Sequence, residues 1–256
     1  MLKMIKYEYR RGIFSLLVVF FALAILEAYF LISTLVKNQT HSSISISLLF
    51  VASTCCIIFV FAYGVISYNN DLKNKYGYMV FMTPLSTYKI IGAKLVSTLL
   101  TGVTLAAVIG ILGVIDYNLA VNTYELSELV DFTVDIMLSF GYSLPIILLN
   151  LLCYIIMFLI EFFFMVTLAY LAISLCSTVL QNKKGKGLVS VILYIILMVA
   201  ITYIADKIPH IYGSGENIDT MGRLIINQLP QIILYALCMI GSFIGSAALL
   251  DKKISL

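Results

Sequence analysis

Apolar residues along this chain gather into six long runs, with the polar residues collected between them rather than alternating with them. Ile13 to Val36 is 24 residues broken by one charge, Glu27; at about 1.5 Å per residue a helix of that length exceeds a hydrocarbon core of roughly 30 Å. Further runs occupy about Ile46 to Tyr68, Leu95 to Ile115, part of Leu144 to Leu180, Leu188 to Ala205 and Gln231 to Leu250. Each is long and apolar enough to read as a transmembrane helix, so the pattern predicts an all-α integral membrane protein with six spans. No small-residue cleavage site follows Val36, where the chain continues Lys37, Asn38, Gln39, Thr40, so the first run reads as a retained span and not as a signal peptide.

The run from Leu144 to Leu180 is charge-free except for Glu161 and is longer than one upright helix requires. Either one long tilted helix fills it, or Pro145 opens a short interfacial or re-entrant helix ahead of the true span. Periodicity cannot separate these alternatives where every face is apolar.

Composition agrees with the pattern: 62% of the residues are hydrophobic and 11% charged, against about half and a quarter in soluble domains. A net charge of +3 gives no reason to expect nucleic-acid binding. The placement of the charges carries more information than their sum. If Met1 is cytoplasmic, six spans put thirteen of the sixteen basic residues on the inside, leaving only Lys37, Lys207 and Arg223 outside. That asymmetry obeys the positive-inside rule and predicts a multi-pass protein of the cell membrane with both termini cytoplasmic. Residues 116–143 and 206–230 then form the outer segments. Residues 1–12 place Leu2, Ile5 and Tyr9 on one helical face beside Lys3, Lys6 and Arg10, which predicts an N-terminal interfacial helix on the inner leaflet.

The inner segment 69–94 is the richest in chemistry. Asp71 is placed to cap a short helix on which Leu72, Tyr76 and Met79 share a face at i, i+4, i+7, Pro84 ends it, and Ser86 or Thr87 starts the next helix. An apolar stripe presented to water between two spans predicts a docking partner.

Asp71-Leu72, Gly77-Tyr78, Thr83-Pro84-Leu85-Ser86 and Ala93-Lys94-Leu95, set between the second and third of six spans, resemble the cytoplasmic loop of ABC-2 type transporter permeases, particularly the short permeases of Gram-positive bacteria. The resemblance implies a type V exporter-like fold in which this loop is a coupling helix. It further implies separate ABC ATPase subunits as partners, with ATP and Mg bound on them, and a second permease subunit in a homo- or heterodimer. Asp71, Leu72, Tyr76, Gly77, Tyr78, Met79, Met82, Pro84, Leu85 and Lys94 become the coupling residues, and an amphipathic peptide, antimicrobial or lipid-like compound becomes the exported substrate.

Sites of other kinds are missing from the sequence. A phosphate-binding G-x-x-x-x-G-K-[ST] fails at Gly185-Lys186, since Gly187 follows and Leu180 stands at the first glycine position. His41 and His210 form no metal motif, the five cysteines all lie within apolar runs, and neither a catalytic set nor a metal site emerges. The intramembrane acids Glu27 and Glu161 are candidates for the substrate pathway, because ionisable groups at that depth are costly. Gly102, Ala106 and Gly110 in the third span, with Gly241 and Gly245 in the sixth, form small-residue rows for helix packing or dimer contact. Two other classes of function share these features: an ion-gradient-driven secondary carrier using Glu27 and Glu161, and a non-transporting immunity or sensor scaffold.

Overall fold

The computed structural model describes residues 2–73, 86–124, 144–179, 185–209 and 221–254. They form α1 (Leu2–Leu35), α2 (Gln39–Lys73), α3 (Thr87–Tyr124), α4 (Leu144–Val179), α5 (Lys186–Asp206) and α6 (Met221–Ile254). All six are long and apolar enough to cross a membrane, and no strand occurs among the described residues. The chain is a multi-pass membrane protein by the length and composition of its helices.

The helices outrun the apolar stretches that predict them. α1 holds 34 residues, or roughly 51 Å of helix, so the basic stretch 1–12 is no separate interfacial helix: residues from Leu2 onward are the first turns of the same continuous helix as the span. α3 continues to Tyr124, so the first part of the expected outer segment 116–143, Asp116 included, is helical. α6 begins at Met221, within the expected outer segment 206–230, and carries Pro230 inside it. The physical reason is common to all three. A helix satisfies its backbone hydrogen bonds internally in water as in lipid, so the edge of the hydrocarbon layer need not end it. Residues 144–179 form one helix, with Pro145 in its first turn where the missing N–H costs nothing, which excludes the alternative of a separate re-entrant helix.

The chain divides into two units, residues 1–63 with 96–143, and residues 64–95 with 144–256. In the first unit α1 and α2 form a helical hairpin. Lys37 sits at φ 57°, and the Lys37 and Asn38 amides donate to the Thr34 and Ser33 carbonyls at 3.0 and 3.2 Å. This is a left-handed helix stop with both characteristic bonds. Asn38 then caps α2, accepting from Thr40 Oγ1 at 2.6 Å and the His41 amide at 3.4 Å. Across the hairpin Tyr29 Oη meets His41 Nδ1 at 3.0 Å and Ser33 meets Ser45 at 3.3 Å. At the other end of α1, Gly12 lies against the Tyr63 ring, where any Cβ would overlap the phenol, and Tyr63 Oη donates to the Glu8 carbonyl at 3.0 Å. α3 joins through Tyr124 Oη and Ser42 Oγ, 2.6 Å apart.

In the second unit α4 packs against α5 and α6. Tyr68 and Tyr170, both wholly buried, stack with centroids 4.2 Å apart. Their hydroxyls reach Ser174 Oγ at 2.5 Å and the Gly64 carbonyl at 3.2 Å. Phe164 stacks on Tyr235 at 5.0 Å, and Ser242 Oγ donates to Thr167 Oγ1 at 3.0 Å. Polar side chains bonded between helices replace the hydrophobic driving force that is absent when lipid is the solvent. In the first unit Phe14, Phe21 and Phe50 are each more than two-thirds exposed, as suits a lipid-facing surface.

Candidate functional site

The segment singled out by its sequence emerges from the end of α2 and returns at the start of α3. Tyr76, Gly77, Tyr78, Met79, Met82, Pro84 and Leu85 lie outside the described residues, as does the short helix expected there. The helix ends that frame the segment belong to the second unit.

Asp71, two residues before the end of α2, is expected from the sequence to cap a loop helix. Instead it lies inside α2, 1% exposed, with Oδ2 2.5 Å from Nζ of Lys94, which is equally buried. Lys94 Nζ also donates to Ser67 Oγ at 3.5 Å. A charge in this setting persists only when paired, because each desolvated ion costs several kcal/mol that the partner must offset. The pair therefore clamps α2 to α3 across the base of the connecting segment.

α3 begins as the sequence predicts. Ser86 is exposed and its carbonyl accepts from the Lys89 and Ile90 amides at 2.8 and 3.2 Å, which starts the helix at Thr87. Thr87 is buried, and its Oγ1 donates to Asp251 Oδ1 near the end of α6. The start of α3 is thus held to α2 by an ion pair and to α6 by a hydroxyl–carboxylate bond. Leu72 is half-buried and lines a cavity beside the same helix end. Of the ten candidate coupling residues, the three described ones, Asp71, Leu72 and Lys94, all lie at this junction, two of them bonded to each other.

The intramembrane acids occupy different surroundings. Glu27, 8% exposed in α1, meets the Asp116 carboxyl of α3 at hydrogen-bonding range within the first unit. Glu27 Oε2 and Asp116 Oδ1 are buried with no hydrogen-bond partner among the described residues. Two carboxylates so placed repel unless a proton or another cation lies between them. Asp116 escapes sequence reasoning because the apolar run stops at Ile115; the signal available was its spacing on the helical face of a helix that continues. Glu161 is half-buried in α4 and close enough to Tyr235 of α6 to act on it electrostatically. Asn150 lies on the same helix as Glu161, and its buried Nδ2 has no hydrogen-bond partner among the described residues.

The small-residue rows divide. A Cβ on Gly245 would come within 2.9 Å of Leu171 Cδ1, and one on Gly102 within 3.5 Å of Val60 Cγ1, so both serve contacts inside the chain. Gly110 and Gly241 have nothing within 4 Å, and Ala106 is exposed, so these face outward. No group of three or more His, Cys, Asp or Glu residues suited to a metal ion occurs among the described residues. No protein-family model, curated protein or solved structure matches the chain.

Proposed function

We propose that the chain is the membrane-spanning permease subunit of an ATP-binding-cassette exporter of the ABC-2 type. In this reading both termini and residues 69–94 face the cytoplasm, and the coupling segment docks onto a separate ATPase subunit. Two permease subunits then alternate between inward- and outward-open states to move an amphipathic peptide, antimicrobial or lipid-like substrate outward. ATP and Mg act on the partner; this chain contributes the path and the mechanical link.

The observation that supports the reading best is the pair of anchors at the base of that segment. A docking segment transmits force only if its ends are rigidly tied to the spans it moves. Asp71 with Lys94, and Thr87 with Asp251, tie both ends into three helices through buried polar contacts. Burying an ion pair at a loop base is expensive, and a passive connection would not need it.

The reading is tested by purification from native membranes. A stoichiometric ATPase is expected with the wild-type chain, and Tyr78→Glu/Met82→Glu should abolish its recovery while leaving membrane abundance intact. Each apolar side chain buried at such an interface contributes roughly 1.5 to 3 kcal/mol, so the double change should weaken binding by a few decades. Normal recovery with the double variant would place the docking surface elsewhere.

One observation favours a second reading. The apposed Glu27 and Asp116 carboxyls are the kind of group that exchanges a cation, as an ion-driven carrier requires. Transport that collapses with the proton or sodium gradient and persists without ATP would support it over the first.

A further inference from the structure

Glu27 of α1 is more than nine-tenths buried, and its carboxyl meets that of Asp116 on α3 at hydrogen-bonding range within the first unit. Each acid has a buried oxygen, Glu27 Oε2 and Asp116 Oδ1, that no N–H or O–H of the described residues reaches. A buried acceptor left without a donor is costly, the more so when it carries charge. The pair therefore lacks two things at once: a donor for these oxygens, and a positive charge to hold the carboxyls together.

The described helices of this unit supply no fixed cation at that level. Arg11 precedes Glu27 by sixteen positions and Lys37 follows it by ten, or about 24 and 15 Å along a helix axis. α2 has no Asp, Glu, Lys or Arg from Gln39 to Asn70, and α3 has none but Asp116 from Leu95 to Tyr124. Of the other titratable groups, His41 is bonded to Tyr29 and Tyr124 to Ser42, both near the hairpin. Tyr63 donates to the Glu8 carbonyl towards the other end of α1, Tyr117 is exposed, and Cys55 and Cys56 lie midway along α2. Among the described residues Asp116 is thus the charged group that acts on Glu27, and its sign is the wrong one to hold it.

A metal ion would supply the charge but asks for a fuller set of ligands, about six to eight oxygens for calcium and a near-octahedral shell for magnesium. No third His, Cys, Asp or Glu joins the pair among the described residues. A single proton meets both needs with the two acids alone. It makes one carboxyl a donor and the other its acceptor, and charge-assisted bonds of that kind are short and strong.

We propose that Glu27 and Asp116 form a binding site for one proton, taken from water and held between the two carboxyls, which latches α1 to α3. On binding, an O–H bond forms on one carboxyl and one of the two negative charges disappears. On release the proton returns to water and the two carboxylates repel. Asp116 is half-buried and follows the apolar run that ends at Ile115, which gives the proton a route that Glu27, inside its own run, lacks. The folded chain then holds a proton that solvated carboxyls of the unfolded chain give up at neutral pH. The latch accordingly stabilises the fold at mildly acid pH and is lost as the pH rises through release. The inference names the ion that the carrier reading leaves open and does not require its transport, so the two fail separately.

The test uses the purified full-length chain in detergent, without an ATPase or an ion gradient. Infrared difference spectra of the wild type between mildly acid and alkaline buffer should show the carbonyl stretch of a protonated carboxylic acid at the lower pH, a measurement that needs no variant to fold. Glu27→Gln and Asp116→Asn should each remove one carboxyl's worth of that signal, because an amide then donates to the remaining carboxylate. Loss of the signal in one variant with full retention in the other would assign the proton to a single acid and overturn its sharing. Wild-type Tm should fall by about 3 to 6 °C between about pH 6 and about pH 9, and that of Glu27→Gln by less than half as much. Replacing choline by sodium at equal ionic strength and alkaline pH separates a metal ion from a proton: recovery of wild-type Tm that Glu27→Gln does not share would overturn the proton as occupant. A wild-type Tm indifferent to pH, with no carboxylic-acid signal removed by either substitution, would overturn the site.

Discussion

Replacing Lys94 with leucine removes one member of a wholly buried ion pair and leaves the Asp71 carboxyl, 1% exposed, without its counter-charge. Breaking a buried pair from one side costs about 3 to 5 kcal/mol, because the remaining charge stays desolvated. Set against a typical stability of about 5 to 15 kcal/mol, that is a large loss, and at about 2 to 4 °C per kcal/mol for a chain of this size it corresponds to a fall of roughly 6 to 20 °C in Tm. Asp71→Leu should do the same from the other side. Asp71→Leu/Lys94→Leu removes both charges and leaves apolar side chains in a buried site, which is often neutral relative to the pair. The double variant should therefore be more stable than either single variant. A coupling energy of opposite sign to the single losses is the signature of a direct pair. The assay is thermal unfolding of the purified chain in detergent, followed through the reactivity of its buried cysteines. Losses that simply add in the double variant would refute the reasoning. A role for Lys94 in direct ATPase contact predicts something different: unchanged Tm, with loss of coupling alone.

Other expectations test separate parts of the structure. Gly12→Ala should lower Tm through a loss of about 1 to 3 kcal/mol, since the new Cβ meets the Tyr63 ring, while Gly110→Ala, which meets nothing within 4 Å, should leave it unchanged. Lys37→Gly should raise stability by about 1 kcal/mol by relieving the left-handed backbone at φ 57°, and Lys37→Val should lower it, both read by thermal unfolding. Glu27→Gln should preserve or raise stability, since it removes one of two apposed carboxyls and keeps a hydrogen-bonding side chain; a clear loss would mean the pair holds a bound cation that supports the fold. Cysteine labelling at Ser214 from outside, and at Lys184 only after permeabilisation, checks the orientation expected from the basic residues.

The six spans were legible in the sequence because the requirement that imposes them is local: some 20 consecutive residues must each tolerate lipid, and every backbone group must be bonded within its own segment. The start of α3 at Ser86 and Thr87 was legible for a similarly local reason. Helix ends were not. The continuation of α3 through Asp116 and of α1 back to Leu2 could not be read from the ends of the apolar runs, because backbone hydrogen bonding obeys no such boundary. The tight α1–α2 hairpin, with Lys37 in a left-handed conformation, is also invisible to a search for glycine at that position. What only tertiary structure decided is which polar residues meet. Asp71 and Lys94 are 23 positions apart, and either could have faced a partner protein; being buried in unit two, each stabilises the other's charge. Glu27 stood out alone in its run, but its meaning depends on Asp116, 89 residues away on another helix. Charges inside an apolar segment are constrained by whatever lies across the helix interface, and that information is carried by packing and not by any stretch of sequence around them.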